Sequence, residues 1–380
     1  MDFDSMQINE ILMKSGIYNA GVKDKHGIMH NAYVVKGGKT AVIDSVPEEY
    51  AKDFIKNLSE ITDTVDYYIC NHSCPGYSGG LKALIELYPE ITVTGSTAAL
   101  RNLKEITNVP FTEQLAKNDG TVSLGEKTLR FIITPNLCWP DTMMTYLAED
   151  GVLFPCRMFG ADYCGTGDSK TYTDALKSYF DEIIKPFGGF AKKALEKIKT
   201  LPVNAICPAD GIAAANTSDI IAAYDSFLAD SPSDKKTLAV FYASEYGYTG
   251  EMADIAAKTA KESGFEVSVF DVNTDDEKAM SYALDTADAF AFGANTVNQK
   301  APEKMIRLIA GADVIRQRGT PCMVFGSYGW SGEALTIIYS YLETMKLRPF
   351  DKPFKTIFRL SEQEKEEFAE YTRRFLRSTF

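Results

Sequence analysis

Between Thr237 and Ser263 the chain reads TLAVFYASEYGYTGEMADIAAKTAKES. The β-branched and aromatic run from Leu238 to Tyr242 predicts a short strand, and the Ala-rich period after Thr249 predicts a helix. The polar loop between them holds Ser244, Glu245, Tyr246, Gly247, Tyr248 and Thr249. Such a loop aims several backbone N–H groups and hydroxyls at one point, with the positive end of the helix dipole behind them, and so suits a phosphate. It is neither a Walker loop, which ends in Gly-Lys-Ser/Thr, nor a GxGxxG turn. Hydroxyls without a lysine suit a terminal monophosphate held by neutral donors. The plainer alternative is an ordinary strand-to-helix turn rich in small residues.

The alternation continues downstream. Strands are expected at 266–271, 288–292 and 321–326, helices at 249–263, 277–285, 302–311 and 331–346, then a last strand near Thr356 to Arg359 and a charged helix. Regular alternation of this kind predicts a doubly wound parallel sheet with ligands at the carboxyl ends of its strands.

The first half is patterned differently. NAYVV, KGGK and TAVIDS form a hairpin turning at Gly37 and Gly38, and Val65 to Cys70 is a strand that delivers the loop Asn71 to Tyr77. Ser78 is placed to cap the helix that follows. Thr121 to Thr134 and Met143 to Phe154 alternate as hairpins, and the helical stretch Thr171 to Thr200 is expected to split at Pro186 to Gly189. Two strand-rich stretches, each trailed by helices, predict two packed sheets with helices outside. The polar break Asp230, Ser231, Pro232, Ser233, Asp234 then divides the chain into domains at 1–232 and 237–380.

A chain of 380 residues is long enough for two cores. Its formal charge of −12 opposes nucleic acid and anionic membrane surfaces as partners. The acidic start MDFDSMQINEILMKSG has no signal-peptide pattern, and no apolar run is long enough to span a membrane. Cysteines at 70, 74, 138, 156, 164, 207 and 322 are odd in number and scattered, which fits a reducing cytoplasm rather than a disulfide framework.

Two more loops of the second half share the chemistry of the first. Gly293 is followed by Ala294, Asn295, Thr296, Val297 and Asn298, polar residues able to meet the edge of a flat ring. Ser327, Tyr328, Gly329, Trp330, Ser331 and Gly332 set two aromatics among small residues. Tyr328 and Trp330 alone could be core or interface aromatics. Together, a monophosphate cradle and aromatic walls are what FMN needs. The block 237–380 resembles a flavodoxin domain, and FGSYGWSGEA in particular resembles the flavodoxin half of the flavodiiron proteins, the type A flavoproteins. Glu245 departs from the family's usual uncharged residue and is expected to point to solvent. Stacked aromatics and surrounding negative charge also predict a flavin potential below that of free FMN.

The first half resembles the metallo-β-lactamase-like domain of the same family. The resemblance thus implies an α/β chain, an N-terminal αββα sandwich followed by a flavodoxin-like doubly wound parallel sheet. In the family a His-x-Glu-x-Asp-His loop, a further His, an Asp and a last His hold two irons. Matched residue by residue, this chain keeps His72 but has Cys74 for the Glu, Gly76 for the Asp, Tyr77 for the second His, Cys138 for the next His, Arg157 for the bridging Asp and Asp210 for the last His. Arginine cannot ligate metal and brings a fixed cation, so the match argues against a diiron centre and for an ion pair between Arg157 and Asp210. A zinc site through His72, Cys74, Cys138 and Asp210, with Cys156 close by, is the metal alternative. Packed thiols or a thiol redox site are the others. His26 and His30 show no partner spacing.

The reading that follows is a cytoplasmic FMN flavoprotein, an electron carrier or oxidoreductase that is flavodiiron-like without its iron. The resemblance implies a head-to-tail homodimer and a redox donor such as a rubredoxin-like protein or a reductase. The alternatives are an oxygen or nitric oxide reductase with an atypical metal set, and a partner-binding or dimerisation scaffold carrying a flavodoxin domain.

Overall fold

The computed structural model describes residues 5–161, 169–229 and 236–379. Cys164 and the expected break at Asp230 to Asp234 lie outside the described residues. The chain divides into two compact units, Met1–Asp230 and Ser231–Phe380.

In the first unit one sheet runs β1 (Ile17–Asn19), β2 (Tyr33–Lys36), β3 (Thr40–Ile43), β4 (Tyr67–Cys70), β5 (Thr92–Gly95) and β6 (Thr112–Leu115), each beside the next. β1 to β3 pair antiparallel, and β3 to β6 pair parallel. The other sheet runs β7 (Thr121–Ser123), β8 (Thr128–Ile133), β9 (Met143–Leu147), β10 (Val152–Phe154) and β11 (Ala205–Ile206), with only the last pair parallel. The period of two along each strand decides which side chains go where. Val35, Ala41, Ile43 and Ile69 meet Leu129, Phe131, Leu147 and Phe154 between the sheets. Their neighbours Val34, Val42, Tyr68 and Val93 pack instead under helices Ala51–Ile61, Leu81–Leu87 and Thr97–Thr107. Met144, Tyr146, Leu153 and Ile206 do the same on the far side, under helices Ser169–Tyr179, Gly188–Ile198 and Thr217–Leu228. The layers are therefore helix, sheet, sheet, helix.

Two local expectations change. Ser78 closes a short helical turn, Pro75–Ser78, and its hydroxyl donates back to the Ser73 carbonyl at 2.9 Å. Pro75 starts that turn because a first helical position needs no N–H, and the next helix begins only at Leu81 after Gly80. The stretch 171–200 departs from α-geometry earlier than its proline and glycines suggest, through a π turn at Phe180–Ile184 and a 3-10 turn at Lys185–Phe187.

In the second unit the strands are β12 (Thr237–Tyr242), β13 (Glu266–Asp271), β14 (Ala289–Gly293), β15 (Pro321–Tyr328), β16 (Arg348–Pro349) and β17 (Phe354–Ile357). They lie in the order β13-β12-β14-β15, with β16 and β17 both on the far edge of β15, all parallel. Leu238 and Val240 face Phe368 and Phe375 on one side, while Ala239 and Phe241 face Leu335 and Ile338 on the other. The direction of winding reverses between β12 and β14, and a crevice opens at their carboxyl ends. The last strand stops at Ile357, short of the expected Arg359. Phe358 turns out of it into left-handed backbone at φ 56°.

Candidate functional site

At the carboxyl ends of β12, β14 and β15 lies a cleft of about 320 Å³. Ser244, Glu245, Tyr246 and Tyr248 line it from the first loop, Asn295, Thr296 and Asn298 from the second, and Ser327, Tyr328, Gly329, Trp330 and Ser331 from the third. Gly247, Thr249, Ala294, Val297 and Gly332 are not among its walls; they shape the loops instead. Gly247, at φ 81°, precedes helix Tyr248–Glu262. Thr249 is fully buried, and its hydroxyl lies 2.9 Å from that of Ser327, tying the first loop to the third. The Ala294 N–H donates to the Phe325 carbonyl at 3.0 Å, and Val297 exchanges two backbone bonds with Lys300. Gly332 accepts a bond from Lys355 Nζ at 3.2 Å at the start of helix Glu333–Thr344. The second and third loops approach so closely that a Cβ on Gly326 would fall 1.9 Å from the Ala294 carbonyl oxygen.

Two features of the cleft ask for a ligand. The Ser244 hydroxyl is buried with no hydrogen-bond partner, a state that normally costs free energy. It sits beside a helix N-terminus, where the first amides of any helix lack an intrahelical acceptor. Trp330 is 92% and Tyr246 79% exposed, so large apolar ring faces stand in water around the same opening. Charge near the loop is mixed. Glu251 in the first turn of the helix is offset by Arg359 at 3.3 Å and Lys365 at 3.2 Å. Glu245 is exposed on the cleft wall. Sequence reasoning missed Gln299 and Phe358, which also line the cleft. Neither carries a phosphate or glycine signature, and Phe358 reads as one more strand residue.

The seven matched positions of the first unit gather at the carboxyl ends of β4, β10 and β11 and in the loop after β8. Asp210 is buried, and both its oxygens are occupied: the Tyr77 hydroxyl donates to them at 2.6 and 2.8 Å, and the Tyr179 hydroxyl at 2.6 Å. Arg157 Nε lies 3.4 Å from Asp210 Oδ2, which is the expected ion pair, and donates to the Tyr179 hydroxyl at 3.2 Å. Its guanidinium rests over the rings of Tyr77 and Tyr179, 5.6 and 5.8 Å from their centroids. Burial and the Asp210 charge push both phenols well up, so they stay protonated and donate. Tyr179 was not foreseen, since it comes from a distant helix.

His72 is buried, its Nδ1 lies 3.3 Å from Cys156 Sγ, and its ring packs against Tyr77 and Trp139. Burial and then the Arg157 charge lower its pKa to about 3, so the imidazole is neutral. Burial pushes the Cys138 thiol up to about 12 and the Cys156 thiol well up. Cys74 and Cys138 are half-buried, and Gly76 lies within the Pro75–Ser78 turn. Asp44, Cys138 and Cys156 all hold left-handed backbone, an uncommon conformation for such residues. His72, Cys74, Cys138 and Asp210 are not brought together as a ligand set: among the described residues no three His, Cys, Asp or Glu side chains are placed to hold a metal ion. His30, expected to lack a partner, has Nε2 3.5 Å from Asp24 Oδ2. Among the described residues no helix is long and apolar enough to cross a membrane.

Residues 28–211 match the ODP family beta lactamase and residues 240–370 match flavodoxin. The chain is 32% identical over 364 residues to the flavo-diiron protein FprA2 of Clostridium acetobutylicum, covering 92% of this chain and 91% of that one. It is 33% identical over 372 residues to the type A flavoprotein fprA of Rhodobacter capsulatus, covering 93% and 85%. The solved rubredoxin oxygen:oxidoreductase of Desulfovibrio gigas shares the fold, with a TM-score of 0.68 at 23% identity over 96% of this chain and 97% of that one. The chain therefore belongs to the flavodiiron, or type A flavoprotein, family, with a β-lactamase-like domain followed by a flavodoxin domain.

Proposed function

We propose that the protein is a cytoplasmic FMN flavoprotein that passes electrons through its flavin, and that its first domain does not carry the diiron centre of its family. The observation that carries the flavin half is the unpartnered Ser244 hydroxyl in a cleft walled by exposed aromatics. The Ser244 hydroxyl and the amides opening helix Tyr248–Glu262 would hold the phosphate, Asn295, Thr296 and Asn298 would meet the ring edge, and Tyr328 and Trp330 would cover its faces. FMN bound there supplies one- and two-electron transfer, while the protein orients the ring and sets its electrostatic surroundings.

The residues of the first domain do not fit two irons. A dinuclear site needs several carboxylates and imidazoles free to ligate. Here Asp210 is engaged by two phenols and an arginine, and His72 has Cys156 at its Nδ1. Arg157 places a cation where the family has a carboxylate, and zinc would meet the same charge.

Rubredoxin figures in the name of a structural relative, and a rubredoxin-like protein or a reductase is the donor this reading favours. A head-to-tail homodimer would bring the flavin of one subunit to the first domain of the other. The cytoplasmic placement draws on the described cysteines being free thiols.

The test is anaerobic. Protein carrying FMN is reduced by a rubredoxin-like donor and then mixed with nitric oxide. Reduction of the flavin without sustained consumption of nitric oxide is expected. Repeated turnover of nitric oxide would overturn the loss of the metal centre's activity.

A further inference from the structure

Phe358 sits at the end of β17, a strand none of the three flavin loops belongs to, yet its ring lines the same cleft. Its backbone is left-handed at φ 56°, a conformation that is a genuine outlier for a bulky side chain and that persists where surrounding structure holds it for a purpose. The holding contacts are visible. The Phe358 N–H donates to the Tyr328 carbonyl at 2.9 Å, extending the β15–β17 pairing past the strand end. The ring meets Tyr248 edge-on, with centroids 6.4 Å apart and planes at 75°. Its tip lies against Gly329, where a Cβ would fall 2.7 and 2.9 Å from two of the phenyl carbons. Had Phe358 continued the strand in ordinary extended backbone, its side chain would have followed the strand's alternation. Instead a strained turn leaves an aromatic ring 52% exposed on the cleft wall. Exposure gains nothing for the apoprotein, because an apolar ring in water is the costlier state.

We propose that Phe358 supplies a fourth wall of the flavin site beside the three loops, meeting the planar ring from the β17 side, and that Gly329 is a glycine because Phe358 occupies the space a side chain would need. The inference rests on the reading of the cleft as an FMN site. Phe358 is a contact and positioning residue here, with no part in bond making.

The experiment titrates FMN and riboflavin into apoprotein, wild type, Phe358→Gly and Phe358→Tyr, following quenching of flavin fluorescence, with thermal melts of each apoprotein. Glycine tolerates positive φ, so the Phe358→Gly apoprotein melts no lower than wild type. A lost ring contact weakens both flavins alike, by about three- to tenfold. Phe358→Tyr keeps the ring and stays within about twofold of wild type. Unchanged affinity in Phe358→Gly, a loss confined to FMN, or an equal loss in Phe358→Tyr would overturn the proposal. Wild-type protein that binds neither flavin would instead overturn the FMN reading on which it rests.

Discussion

Arg157 and Asp210 meet at the top of the first domain, Nε to Oδ2 3.4 Å, with Tyr77 and Tyr179 donating to the same carboxylate. A buried charge survives because each partner offsets the other's desolvation. Arg157→Met leaves Asp210 buried with only its phenols, and is expected to lower the unfolding free energy by about 3 kcal/mol. Adding Asp210→Asn removes the stranded charge and recovers part of that loss. Urea unfolding of the two single variants and the double variant measures it, and strictly additive effects would contradict a coupled network.

Stability also carries two opposed pH terms. His72 has its ordinary value of 6.5 lowered to about 3 by burial and then Arg157, so the folded state refuses a proton that the unfolded chain accepts. Its contribution is present above about 6.5 and is lost as pH falls toward 3. Asp44 is raised from 3.8 to about 7, by burial first, against the pull of the Asn71 and His72 amides. Its contribution is full below 3.8 and is lost as pH rises through about 7. Between about pH 4 and about pH 6.5 the two terms nearly offset each other in wild type, so unfolding free energy should fall with rising pH in His72→Gln and rise with it in Asp44→Asn.

Much of this site was legible before the structure, and the reason is local. Residues 244–249 and 327–332 carry hydroxyls, glycines and aromatics in contiguous runs at strand ends, so chemistry and position are read together. The same holds for the loop from His72 to Tyr77. What escaped is what chain connectivity hides. Tyr179 reaches Asp210 from a helix 31 residues earlier, and Phe358 reaches the cleft only because its backbone reverses hand. Ser78 misled because a proline three residues earlier had already started a helical turn.

Ser244→Ala removes a cleft hydroxyl that is buried without a partner. A hydrogen bond to a charged phosphate is worth about 1.5–3 kcal/mol, so FMN should bind at least about tenfold more weakly. Riboflavin, which has no phosphate, should be unaffected. Titration of both flavins into apoprotein checks this, and the apoprotein should be no less stable than wild type.

Trp330→Ala acts on the other end of the ligand. Because the ring is 92% exposed, its loss should shift apoprotein stability by no more than about 0.5 kcal/mol. An aromatic face and nearby carboxylates disfavour added negative charge on the ring, so the bound flavin should have a midpoint potential below that of free FMN. The variant should move that potential upward in a spectroelectrochemical titration, and no change would remove Trp330 from the ring's surroundings.

Metal content per bound flavin is the decisive quantity. Protein produced in iron- and zinc-replete medium and purified without chelators should show a flavin spectrum, one FMN per chain, and far less than one metal ion per chain by elemental analysis. Two irons per chain would mean that the ligands of the first domain rearrange around metal despite Arg157, and would contradict the loss of the diiron centre outright.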